Sequence, residues 1–213
     1  MQKLKMQTNS TSGYLFTFCG LDGCGKTTML TMLKEELEQK YGVFLTKQPT
    51  SAVRQSEIFR TYMDNPNHDA YDYRSLSLLA ASDRLQHVSK VIKPRMEVGD
   101  MVISDRYFYS CLANLRARGF TEDKWIYEMA EFVIKPDVAF FFDVPVEIAV
   151  QRVRNRKEEE NRYIDMELQY KLRDEYISIC EQNNGVLIST EMPIENCYAI
   201  VTKEVERVLK NGH

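Results

Sequence analysis

The 213-residue chain has no paired cysteine motif. Its five cysteines, Cys19, Cys24, Cys111, Cys180 and Cys197, are odd in number, scattered, and without CxxC spacing. That speaks against a disulfide framework or a zinc site and for buried thiols in a reducing compartment. No apolar run reaches membrane-spanning length. The first residues, MQKLKMQTNSTSG, contain no apolar core of signal-peptide size. The expectation is a soluble, cytoplasmic protein without a membrane partner. Basic excess is also missing: net charge is −3 with acids and bases interspersed, so a nucleic-acid partner is not expected. There is no repeat, no low-complexity tract and no linker long enough to divide domains. Residues 1–12 read as a polar, peripheral extension and 13–213 as one domain.

What is present alternates. YLFTFCG, VFLTKQP, DMVISD, DVAFFFDV and GVLIST read as five strands. Helical spacing marks KTTMLTMLKEELEQKYG, SEIFRTYM, EDKWIYEMAEFVI, PVEIAVQRVRNR, DMELQYKLRDEYISICEQ and PIENCYAIVTKEVERVLKN. A longer helix covers RSLSLLAASDRLQHVSKVIKPRMEVG and should kink or break at Pro94. DNPNHDAYDY reads as a loop. Strand–helix alternation predicts an α/β fold, a five-stranded parallel sheet with helices on both faces.

Gly20-Leu21-Asp22-Gly23-Cys24-Gly25-Lys26-Thr27 fits GxxxxGK[ST], between a clear strand and a clear helix. Glycines let backbone N–H groups turn inward around phosphate, and the helix start adds its positive end. Lys26 would reach the β/γ-phosphates, and the Thr27 hydroxyl would ligate Mg²⁺, with Thr28 beside it. The nucleotide expected is ATP. Neither an NKxD-type guanine-reading motif nor an Asp-Glu pair after the third strand is present, which weakens a GTPase or an ATP-driven machine. A kinase must instead exclude water and bring its own acceptor. Asp22 is the anomaly, because a carboxylate in a polyphosphate cradle repels what the cradle binds.

GLDGCGKTT, TKQPTS, LLAASDRLQHVSKVIKPRMEVGDMVISDRYFYSCLA and FFFDVPVEIAVQRVRNRKEEENRY, in this order and spacing, resemble the thymidylate kinases from Tyr14 onward. The resemblance implies a P-loop kinase fold with a lid near residues 152–163, ATP as donor, a nucleoside monophosphate as acceptor, Mg²⁺, and a homodimer. It gives Asp22 a place on the acceptor side, accepting from the sugar 3′-hydroxyl and an arginine. It makes Asp105 a Mg²⁺ ligand through water, Arg106 a brace for the acceptor phosphate, and Arg84 a reader of the pyrimidine edge. Arg60 and Lys47 become phosphate contacts, and Ser110 and Asn114 further acceptor contacts. With no arginine in the P-loop, the arginine for the transferred phosphoryl would come from the lid: Arg156 first, Arg152 next, with Arg154 and Arg162 also present.

Three positions depart from the family pattern. Ala80 stands where an aromatic ring usually stacks on thymine, Asn114 where a tyrosine is common, and Lys47 where an arginine is usual. Tyr73, Phe108 and Tyr109 are candidates to cover the base instead. The leading reading is phosphorylation of dTMP to dTDP. The alternatives are another deoxynucleotide or deoxynucleoside as acceptor, or a P-loop nucleotide-binding protein without transfer.

Overall fold

A computed structural model describes residues 3–64, 71–160 and 163–212. The stretch 65–70 of the expected loop, and Arg162, lie outside them. The elements run β1 (Tyr14–Gly20), α1 (Lys26–Leu37), β2 (Val43–Lys47), α2 (Ser51–Arg54), α3 (Glu57–Asp64), α4 (Tyr73–His87), α5 (Lys93–Glu97), β3 (Met101–Asp105), α6 (Phe108–Ala117), α7 (Trp125–Ala130), β4 (Val138–Asp143), α8 (Val146–Arg154), α9 (Met166–Gln182), β5 (Val186–Ser189) and α10 (Ile194–Asn211). The five strands form one parallel sheet in the order β2-β3-β1-β4-β5. Helices α1 and α10 pack together and against the sheet, as do α6 and α9. The central strands are therefore apolar along their length rather than alternating: Leu15, Phe16, Phe18, Phe140, Phe141 and Phe142 are all buried. Because every strand runs the same way, Gly20, Lys47, Asp105 and Asp143 end at one edge of the sheet, where ligands bind in such folds.

The long helix does not stop at its proline but loses its α-helical register just before it. Val88–Ile92 is a π-helical turn between α4 and α5, and Pro94 sits in the first turn of α5. The wider turn accommodates a residue that has no N–H to donate and whose ring crowds the preceding turn. Three expectations are corrected. Helix α6, absent from the sequence reading, is buried on nearly all sides, so it carries no amphipathic stripe. The helix expected over 122–134 is formed only at Trp125–Ala130. The residues after it are captured by the N-terminal segment, through Gln7 N to Val133 O at 2.9 Å and Lys135 N to Gln7 O at 2.7 Å. That segment is consequently packed rather than peripheral. Leu4 is buried, and the Asn9 amide donates to Gly13 O at 2.9 Å and to the Asp137 carboxylate at 3.0 Å.

Candidate active site

The P-loop leaves β1 in a conformation only glycine tolerates. Gly20, Gly23 and Gly25 have φ of +136°, +82° and +91°. At Gly23 a Cβ would lie 2.1 Å from Ala149 O on α8, and at Gly25 one would meet Thr190 at 3.3 Å. The loop is thus wedged between α8 and the segment after β5. Leu21 and Cys24 turn into the core, while Thr27 and Thr28 face outward at the first turn of α1. The Lys26 ammonium closes the loop, donating to Leu21 O at 2.6 Å and Gly20 O at 3.2 Å. Beneath it lies Cys19, whose thiol burial pushes up to about 12 against the pull of Arg106 and Lys26.

Asp22 is held by the residue that follows β3. Its Oδ1 accepts from Arg106 Nη2 at 2.6 Å. Arg106 follows β3 with φ +68°, a left-handed backbone that costs a non-glycine residue about 1–3 kcal/mol. Its N–H donates to Phe18 O at 2.9 Å, and its carbonyl accepts from Ser104 Oγ at 2.7 Å. The turn aims the guanidinium back at the P-loop. Arg106 Nη1 donates to the Tyr176 hydroxyl at 2.8 Å, which donates on to Ser110 Oγ at 3.0 Å. Burial works against the Arg106 charge, but Tyr176, Asp22 and Asp105 outweigh it and hold the group firmly protonated. Burial also raises Tyr176, so its phenol stays neutral and able to donate. Tyr176 was not found by sequence reasoning. Its one sequence signal is a hydroxyl-bearing ring on the buried stripe of α9, with Leu172, Ile179 and Cys180.

On the other side of Arg106, the Asp105 carboxylate meets Lys47 Nζ at 2.9 Å through Oδ2, and Oδ1 is buried without a hydrogen-bond partner. Register explains the pair, since Lys47 and Asp105 are direct partners in the β2–β3 ladder. Arg84 lies buried on α4, its Nη1 donating to Ala80 O at 2.9 Å and its Nε to Tyr107 O at 3.4 Å. Arg60 stands on the exposed part of α3.

The remaining expected residues divide. Arg152 reaches the P-loop, with Nη1 3.5 Å from Gly23 O and 3.1 Å from Thr190 Oγ1. Arg156 lies beyond the end of α8 and pairs with Glu159 at 3.5 Å, so the two arginines do not share a helical face. Asn114 spends its amide on its own helix, donating to Ser110 O at 2.9 Å and accepting from Arg118 at 3.0 Å. Phe108 and Tyr109 are core residues, the latter against Phe141. Neither is exposed to cover a base. Tyr73 packs under the Arg118 guanidinium at 3.9 Å and against Tyr62.

Similarity to known proteins agrees with this geometry. The family model described as Thymidylate kinase matches residues 18–200. A probable thymidylate kinase of Thermococcus kodakarensis is 40% identical over 168 residues, 76% of this chain and 82% of that protein. A thymidylate kinase of a Geobacillus species is 34% identical over 203 residues, 91% of this chain and 96% of that protein. One of Onion yellows phytoplasma is 31% identical over 203 residues, with 91% and 97% covered. A match of this extent to family and relatives alike makes the chain a member of the thymidylate kinase family.

Proposed function

We propose that the protein transfers the γ-phosphoryl group of ATP to the 5′-phosphate of dTMP, forming dTDP and ADP. The observation that carries this reading is the Asp22–Arg106 contact at 2.6 Å. A P-loop that merely binds nucleotide needs no carboxylate. One that serves two substrates can use it to hold an arginine, and a sugar hydroxyl, on the acceptor side. The backbone amides of Gly20–Thr28 cradle the donor phosphates, and Lys26 exchanges its loop carbonyls for phosphate oxygens. Arg106 bridges the two phosphates as they approach, which otherwise repel. Lys47 and Arg60 neutralise the acceptor phosphate, and Arg84 meets the pyrimidine edge. Arg152, already beside Gly23, is the lid residue best disposed toward the donor, with Arg156 second.

The residues fit a Mg²⁺ ion. Among those described, no group of three or more His, Cys, Asp or Glu forms a metal cage. One hydroxyl (Thr27) and one carboxylate with an unbonded buried oxygen (Asp105) suit an ion that keeps its waters and takes phosphate oxygens. When bound, it neutralises charge on the transferring phosphates. Family membership supports a homodimer, and five free cysteines favour a reducing, cytoplasmic setting. No helix among the described residues is long and apolar enough to cross a membrane. The test is ADP release from ATP with each of dTMP, dUMP, dCMP, dGMP, dAMP and thymidine. dTMP should give the highest kcat/KM, and a strong preference for any other acceptor would overturn the assignment.

A further inference from the structure

Lys47 ends an edge strand, because β2 pairs only with β3 among the described residues. An edge has ladder bonds on one side only, so the end of β2 needs restraint from elsewhere. Side chains alternate along a strand. Lys47 goes to Asp105, while Thr46 and Gln48 face α4. There the His87 ring takes both: Nε2 lies 3.0 Å from Thr46 Oγ1 and Nδ1 lies 3.1 Å from Gln48 Nε2. Both His87 and Gln48 are buried. One turn earlier on α4, the Asp83 carboxylate accepts from Thr50 N at 2.7 Å and Thr50 Oγ1 at 2.5 Å. Arg84 stands between them. One turn of α4 therefore grips both sides of the segment that presents Lys47, and the same turn carries the arginine proposed for the base.

We propose that His87 is a positioning residue for the acceptor phosphate: by bridging the two residues that flank Lys47, it fixes where the Lys47 ammonium stands relative to Asp105 and Arg84. A neutral imidazole offers one donor and one acceptor, which suits a bridge between a hydroxyl and an amide. Burial lowers the His87 basicity, against the opposing pull of Asp83, and keeps the ring neutral. The proposal rests on reading Lys47 as an acceptor-phosphate contact.

The test is steady-state kinetics, with thermal melts, on His87→Phe, His87→Gln, Thr46→Val and Lys47→Met. His87→Phe should raise KM for dTMP about tenfold, the scale of a lost buried hydrogen bond, and leave KM for ATP within about twofold. His87→Gln keeps a donor and an acceptor and should recover most of the loss. Thr46→Val, nearly isosteric, should give a smaller rise in the same direction. Equal losses on both substrates, or a lowered melting temperature with unchanged KM for dTMP, would make the ring purely structural. If the phenylalanine variant does not fold, an unchanged KM for dTMP in Thr46→Val overturns the proposal. A selective rise in Lys47→Met alone leaves the proposed reaction standing and rejects the role of His87. No effect in Lys47→Met rejects the reading of Lys47 and this proposal with it.

Discussion

Tyr176→Phe isolates the support of Arg106 from Arg106 itself. The ring is buried against α6, and its hydroxyl is the partner of Arg106 Nη1 at 2.8 Å and of Ser110 Oγ at 3.0 Å. Phenylalanine fills the same space, so packing changes little. What is lost is one hydrogen bond to a charged group, about 1.5–3 kcal/mol, and one neutral bond of about 1 kcal/mol. Arg106 keeps Asp22, so its position loosens rather than collapses. If Arg106 bridges the phosphates at the transition state, the loss of the charged bond falls on that state, and at 1.36 kcal/mol per decade its roughly 1.5–3 kcal/mol should lower kcat about 10–150-fold. KM for ATP should move little. Measured side by side, Arg106→Ala should lose more activity than Tyr176→Phe, and Tyr176→Phe should melt about 5–15 °C below the parent while remaining folded at 25 °C. A folded Tyr176→Phe enzyme with kcat within twofold of the parent, next to an inactive Arg106→Ala, would refute the idea that the phenol holds Arg106 for catalysis.

Lys26→Met should lower kcat on the order of 10³-fold in a folded protein, since a transition-state cation is removed; melting and turnover together check it. Gly23→Ala should be severely impaired, because its Cβ would lie 2.1 Å from Ala149 O at a φ of +82°, and reduced soluble yield or a lowered melting temperature would register the clash. Arg152→Ala should reduce kcat/KM for ATP more than Arg156→Ala does, given which of the two touches the P-loop. The opposite order in kinetics of the two variants would return the leading role to Arg156.

The parts legible in the sequence are those carried by neighbours in the chain. GLDGCGKT is one contiguous loop. Asp105-Arg106 announces itself at the end of a strand, and the five strands are short apolar runs bounded by turns. Contacts made between distant segments left no such mark. Tyr176 reaches Arg106 across 70 positions, and His87 reaches Thr46 across 41; each reads in sequence as an ordinary helix residue. Helix α6 was missed because full burial removes the periodic polar face that reveals surface helices. The N-terminal segment was misjudged for the opposite reason: its polar side chains are there, but Asn9 and Gln7 spend them on the domain rather than on solvent.

The central claim is that one P-loop serves two phosphates, with Asp22 facing the acceptor. Transfer from γ-labelled ATP to dTMP, followed in the parent and in Asp22→Asn with ATP affinity measured separately, tests it most directly. The parent should place the label in the β position of dTDP. Asp22→Asn should keep near-parent ATP affinity while KM for dTMP rises and transfer falls, because an amide is a weaker acceptor for both Arg106 and the sugar hydroxyl. No labelled dTDP from the folded parent, or an equal loss on both substrates in Asp22→Asn, would contradict the account.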